Sequence, residues 1–159
     1  MKLYHGSNMQ VPNPQILISD RNLDFGVGFY LTSSLEQAER WAVLTTERRG
    51  EGNPTITVYE FDESKLADLK LLQFEKANKK WLDFVIANRE KSTVTHKWDI
   101  VIGPVANDRT MPVIRLFLAK VYTAAETLRR LLPQKLHDQY TFKTEKALQY
   151  LKFEGTIEK

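Results

Sequence analysis

The segment Phe25-Gly26-Val27-Gly28-Phe29-Tyr30-Leu31, running into Thr32-Ser33-Ser34-Leu35-Glu36-Gln37, constrains this chain more than any other. Two glycines bracket one residue, and an apolar aromatic run follows at once. Glycine has no Cβ, so the backbone at Gly26 and Gly28 can pass close to another group. Residues 28–31 then read as a short buried strand. Ser33 with Glu36, and Ser34 with Gln37, have the capping-box spacing that opens a helix. The helix is expected to run to about Thr46 and carries Trp41. A strand feeding straight into a capped helix places the Tyr30 and Trp41 rings near one another. Such a pair makes a floor and a wall for a flat ligand; taken alone, it is ordinarily core.

Strands and helices are interspersed along the rest of the chain. Leu3-Tyr4-His5 reads as an opening strand running into a turn at Gly6-Ser7, and Pro12 and Pro14 hold 8–15 in a loop. Arg48 to Pro54 reads as an exposed, hairpin-like loop, and Thr55 to Phe61 alternates as a strand. The spacing of Phe74, Ala77, Trp81, Phe84, Val85 and Asn88 predicts a helix over 74–90. Trp98 to Val105 is a β-rich run that Gly103-Pro104 should break. Thr123 with Glu126 opens a helix through Leu132, stopped by Pro133. Gln139 to Lys143 alternates as a strand. Thr144 caps a last helix through Ala147, Leu148 and Leu151. No regular βαβ rhythm emerges, so the expected fold is α+β with a split β-sheet and flanking helices, as one domain over 1–159.

Composition narrows the chemistry. The 159 residues contain no cysteine, which excludes disulfides, thiolate metal sites and cysteine nucleophiles. His96 and His137 have no spaced partners, so no metal is expected. The N-terminus does not read as a signal peptide, and no run of about 18 apolar residues occurs, so a cytoplasmic protein without a membrane span is expected. A formal charge of +3 and a pI near 9.0 give a mild basic bias, compatible with a nucleic-acid partner. Arg48-Arg49 and Lys79-Lys80 could meet phosphates, but runs this short read as solvated faces.

Three sites, far apart in the chain, carry candidate chemistry. His5-Gly6-Ser7 ends the first strand; alone, His5 is an ordinary packing or surface residue. The second is the opening segment with Tyr30 and, eleven positions on, Trp41. The third is Asp138-Gln139-Tyr140-Thr141-Phe142-Lys143, in which Gln139 alone would be a surface amide. In order and spacing they resemble the three motifs of the ADP-ribosyltransferase superfamily, in its diphtheria-toxin and poly(ADP-ribose) polymerase branch. That branch has a His–Tyr–Glu triad on three strands. The chain further resembles small bacterial domain-of-unknown-function members of that superfamily.

The resemblance implies an NAD-consuming transferase with His5, Tyr30 and Gln139 as its catalytic residues. His5 would bond a ribose of NAD, and the Gly6 backbone would pair with the nicotinamide carboxamide. Tyr30 would stack on one face of the nicotinamide and Trp41 on the other, where cation–π attraction helps. Ser7 and Gly28 belong to the same motifs, and Arg21, in Ser19-Asp20-Arg21-Asn22, is a candidate pyrophosphate contact. Ala38 stands where the polymerases have a carboxamide-binding serine. Gln139 stands where the family has glutamate. An amide can accept the ribose 2′-hydroxyl bond but offers no negative charge to the oxocarbenium-like transition state. Asp138 and Glu145 are nearby candidates for that charge, Glu145 being equally a first-turn helix residue. Asp108, after Gly103-Pro104, is a candidate acceptor-side base in what otherwise reads as a turn.

The implied activity is mono-ADP-ribosylation of a macromolecular acceptor, with RNA, DNA and protein all open and nucleic acid slightly favoured by charge. The implied context is the toxin of a bacterial toxin–antitoxin or phage-defence system, with an antitoxin protein as partner. Gln139 and Ala38 motivate an alternative, a module that binds NAD or ADP-ribose without cleaving it. An RNA-phosphate transferase on the same fold ranks last, because only His5 and Arg21 stand where its basic cluster would be.

Overall fold

A computed structural model describes residues 1–17, 23–90, 97–106, 110–131 and 136–158. In chain order its elements are β1 (Lys2–Ser7), β2 (Phe29–Leu31), α1 (Leu35–Arg49), β3 (Thr55–Phe61), a 3-10 helix (Glu63–Asp68) and β4 (Leu71–Gln73). There follow α2 (Lys79–Glu90), β5 (Ile100–Pro104), α3 (Met111–Leu118), α4 (Ala124–Leu131), β6 (Asp138–Phe142), α5 (Glu145–Leu148) and β7 (Leu151–Glu158). The fold is α+β, with two sheets. The first has the order β1-β3-β7 and is antiparallel throughout. The second has the order β2-β6-β5-β4, with only the β4–β5 pair parallel.

Side-chain alternation sorts the apolar residues into layers. Leu3, Tyr59 and Phe61 from the first sheet meet Phe29, Leu31, Ile100, Ile102 and Phe142 from the second, forming the core between the sheets. On the outer face of the first sheet, Ala38 and Ala42 of α1 pack on Ile56. On the outer face of the second, Val101 meets Trp81, Leu82 and Val85 of α2, with Ile114 of α3 and Leu131 of α4. The sheets therefore lie between α1 on one side and α2 to α4 on the other. Strand β3 is buried on both faces because it is central in its sheet and covered from both sides.

Local chemistry sets most boundaries, and several differ from expectation. Ser34 caps α1, its Oγ accepting from Gln37 N at 3.2 Å. The helix continues past Thr46 to Arg49 and ends at Gly50, which is left-handed at φ 68°. Helix α2 starts at Lys79, where Asn78 Oδ1 accepts from Trp81 N at 3.0 Å. Phe74 and Ala77 are buried ahead of it, in the segment leading from β4. Strand β5 ends at Pro104, as Gly103-Pro104 led one to expect. Its partner β4 has already stopped at Gln73, opposite Ile102, so the missing N–H interrupts no ladder on that side. The last helix does not reach Leu151: α5 stops at Leu148, and Leu151 begins β7. The alternation Leu151, Phe153, Gly155, Ile157 is the strand signal there, with Glu154 bulged between the partners of Val58 and Tyr59.

Candidate functional site

The two sheets meet edge to edge at one bridge. Tyr4 N donates to Thr32 O at 2.8 Å and Thr32 N to Tyr4 O at 2.9 Å. This bridge brings the first motif onto the second. His5 Nδ1 lies 2.7 Å from the Tyr30 carbonyl, and its ring stacks on Phe29 at 4.2 Å between centroids. A carbonyl only accepts, so Nδ1 carries the hydrogen and Nε2 presents a lone pair. Burial pushes the imidazole down to about 4, the Arg49 charge adding to that push and the bond to Tyr30 opposing it. At neutral pH His5 is therefore a neutral ring with a fixed tautomer, able to accept from a hydroxyl.

Gly6 and Ser7 continue the same edge. In an antiparallel ladder, alternate residues direct their backbone groups to opposite sides. Tyr4 bonds across to Thr32, so Gly6 also directs its N–H and C=O away from β3 and toward the junction. The need for glycine here comes from α1. A Cβ on Gly6 would lie 2.0 Å from Ala38 O and 2.8 Å from Ala42 N. Ser7 is buried, its Oγ donating to Asn8 Oδ1 at 3.3 Å, and Asn8 in turn holds Arg49. Trp41 is partly buried on α1, one turn from Ala38 and so beside the face that meets Gly6. Among the described residues Tyr30 and Trp41 make no ring contact with each other.

Tyr30 and Gln139 share the outer face of the second sheet, because Tyr30 pairs with Thr141, two positions from Gln139. The Tyr30 hydroxyl donates to Gly26 O at 2.5 Å and accepts from Phe25 N at 3.1 Å. Burial first, then the charge of Asp24, pushes this phenol well above its ordinary range. His5 is not on that face: its ring lies toward Phe29, and it is linked to Tyr30 through backbone alone. The three expected residues thus meet at one junction without forming a contiguous triad.

Gln139 is 3% exposed. Its Nε2 faces two acceptors, Asp24 Oδ2 at 3.5 Å and Pro104 O at 3.4 Å. Because neither can donate, the amide nitrogen must point at them and Oε1 must point away. Asp24, which the motif reading missed, is 6% exposed. Arg89 Nε donates to its Oδ1 at 2.6 Å, Arg89 Nη2 contacts the same oxygen, and Ala106 N donates to Oδ2 at 3.2 Å. Three other segments therefore converge on one carboxylate. The signal in the sequence was an aspartate between the apolar Leu23 and Phe25.

The remaining candidates separate into those with internal roles and those outside the description. A Cβ on Gly28 would lie 2.5 Å from Thr141 Cγ2 and 2.9 Å from Phe142 O, so β6 occupies the space its glycine leaves. Gly26 has φ 77° and abuts Asn88. Lys143 Nζ donates to Phe25 O at 2.5 Å and Val27 O at 2.7 Å, bracing this loop, and burial lowers its ammonium to about 8. Asp138 is engaged at the entry to α1: its carboxylate accepts from Thr32 Oγ1 at 3.2 Å, Ser33 N at 2.9 Å and Ser33 Oγ. Glu145 is an exposed first-turn residue of α5. Arg21 with its neighbours Ser19, Asp20 and Asn22, His96, Asp108 and Pro133 lie outside the described residues.

Among the described residues no group of three His, Asp or Glu side chains is arranged to hold a metal, and no helix is long and apolar enough to cross a membrane. An open depression of about 370 Å³ between α2 and α3–α4, lined by Ile86, Phe117, Val121 and Tyr122, includes none of the candidate residues. Comparison with the curated proteins and with the solved structures returns no match. Residues 1–153 match the family described as Protein of unknown function (DUF3990), and the chain belongs to that family.

Proposed function

We propose that this protein is an NAD-dependent mono-ADP-ribosyltransferase acting on a macromolecular acceptor in the bacterial cytoplasm, as the toxin of a toxin–antitoxin or phage-defence system. The observation that carries the reading is the junction itself. Three motifs that resemble those of the ADP-ribosyltransferases, on β1, β2 and β6, converge where the two sheets abut. Three groups support the reading. His5 Nε2 can accept from a ribose hydroxyl, the Gly6 backbone faces the junction, and Gln139 Oε1 can accept the 2′-hydroxyl.

In the reaction, the bond between ribose C1″ and the pyridinium nitrogen breaks and its electron pair leaves with nicotinamide, now neutral. An oxygen or nitrogen of the acceptor bonds C1″ and releases its proton to solvent. The chain contributes positioning and stabilisation of the positive charge that builds on the ribose. Nucleic acid is favoured over protein as acceptor by the net charge of +3. Nicotinamide release from NAD tests the reading, with His5→Ala and Tyr30→Ala as controls; unchanged turnover in both variants would sink it. Labelled NAD in a cell lysate, digested separately with protease and nuclease, identifies the acceptor class.

A second reading, a module that holds NAD or ADP-ribose without cleaving it, is favoured by one observation: residue 139 is a buried amide. Retention of intact NAD with no nicotinamide released would select it.

A further inference from the structure

We propose that Asp24 supplies, through Gln139, the negative charge that a glutamate on β6 would otherwise bring to the departing nicotinamide riboside; the inference rests on the transferase reading above. Asp24 is a buried carboxylate whose Oδ2 receives the Gln139 amide, while Arg89 bonds Oδ1. The two oxygens therefore serve different partners. An amide whose N–H faces a carboxylate is polarised, and electron density shifts to its carbonyl oxygen. That oxygen points away from Asp24, and on the transferase reading it is the atom that would accept the ribose hydroxyl. Arg89 offsets the charge only in part, since its side chain is 27% exposed against 8% for Asp24, and solvent screens the guanidinium more strongly. A tie between the loop and α2 could have been apolar. Placing a buried ion pair there is costly, and its position behind Gln139 gives it a use.

Asp24 does not touch substrate in this scheme; it is a positioning residue. The arrangement makes a prediction opposite to the simple restoration of glutamate. A carboxylate at position 139 would face Asp24 at about the 3.5 Å now spanned by the amide, and like charges so close resist joint ionisation.

The experiment is a charge-swap cycle read by nicotinamide release, with NAD binding and melting temperature measured on each variant. Asp24→Asn should lower kcat at least about tenfold with KM for NAD little changed. Gln139→Glu alone should also lower it, and the double variant should recover most of the loss. Gln139→Glu raising turnover, or a double variant no better than Asp24→Asn, overturns the inference while leaving the transferase reading intact. A wild-type chain that neither binds nor cleaves NAD removes that reading and the inference with it. Should Asp24→Asn not fold, Gln139→Glu decides alone. Its kcat–pH profile should gain an acid limb above the ordinary carboxylate range. A profile without that limb and activity above wild type overturns the proposal.

Discussion

On the β1 side of the junction the groups of the strand itself are neutral and the fit is steric: His5 is an uncharged ring, Gly6 lets α1 rest on the strand, and the Arg49 charge stays at the exposed margin on Asn8. On the β2–β6 side charged groups are drawn inside. Asp24 is bound by Arg89, and Lys143 reaches two carbonyls of the Phe25–Gly28 loop. A side held by close approach should tolerate no added volume, whereas one held by charge should tolerate no unbalanced charge. The contrast also separates the proposed tasks, since a neutral edge suits recognition and a buried charge suits stabilising a cationic transition state.

The sharpest way to break the comparison is Gly6→Val. Every atom that its Cβ would meet within 3.0 Å is backbone of α1, which cannot rotate aside. A loss of about 3 kcal/mol or more is expected, enough to unfold a marginal domain. Urea denaturation checks it, and a near-wild-type midpoint would show that α1 can lift from β1. Next in size is Arg89→Met on the opposite side. It preserves most of the volume but leaves Asp24, among the described residues, with Ala106 N and the more distant Gln139 amide as partners. Removing one member of a buried pair costs about 3 kcal/mol. The double variant Asp24→Asn with Arg89→Met should recover much of that loss in the same denaturation series. Equal losses in the single and double variants would mean that packing of the Arg89 stem, and not charge, is what matters.

These two sides were not equally legible in the sequence. The path from β2 into α1 announces itself locally, through the glycines, the aromatic run and the Ser34 cap within a few residues of one another, and β1 through the short run Leu3-Tyr4-His5. The charged side does not, because Asp24 lies 65 residues from Arg89 and 115 from Gln139, and only the folded chain brings them together. Gly26 and Gly28 are closely approached as their spacing suggests, by Asn88 and by β6, whereas the tighter approach of α1 to Gly6 has no such signal in the sequence. Strand β7 was hidden for a different reason. The Thr144 cap is real, and Ala147, Leu148 and Leu151 keep helical spacing, yet the helix lasts one turn before a strand alternation takes over. Helix α3 is legible in its apolar spacing, Met111, Ile114, Phe117 and Leu118, with Pro112 in its first turn.

A smaller effect tests the loop that joins the two sides. Tyr30→Phe removes a hydroxyl that donates to Gly26 O and accepts from Phe25 N, while keeping the ring. The cost should be about 1–2 kcal/mol of stability, for the partners left unsatisfied. Under the proposed function the ring alone stacks on nicotinamide. NAD affinity, by calorimetry, should therefore change far less in Tyr30→Phe than in Tyr30→Ala. Equal losses in both would transfer the role from the ring to the hydroxyl.

The smallest expected effect is a pH slope, and it belongs to the β1 side. In the unfolded chain His5 titrates near 6.5, whereas in the folded protein burial holds it down to about 4. Above the unfolded value both states are neutral and the buried ring's contribution to stability is fully present. As pH falls below about 6.5 the unfolded chain takes up a proton that the native state refuses, so that contribution drains away until pH reaches about 4. The ring is only partly buried, so solvent screening reduces the loss to roughly 1 kcal/mol. Replacing His5 by Asn keeps an N–H donor near the Tyr30 carbonyl and removes the titration. Urea unfolding at pH 7 and pH 5 should then show the wild type losing more stability than His5→Asn. Tyr30→Phe should lose as much as the wild type, because its change lies on the other face of β2. Equal losses in wild type and His5→Asn would mean that His5 is protonated in the fold, and the neutral edge would no longer stand against the charged one.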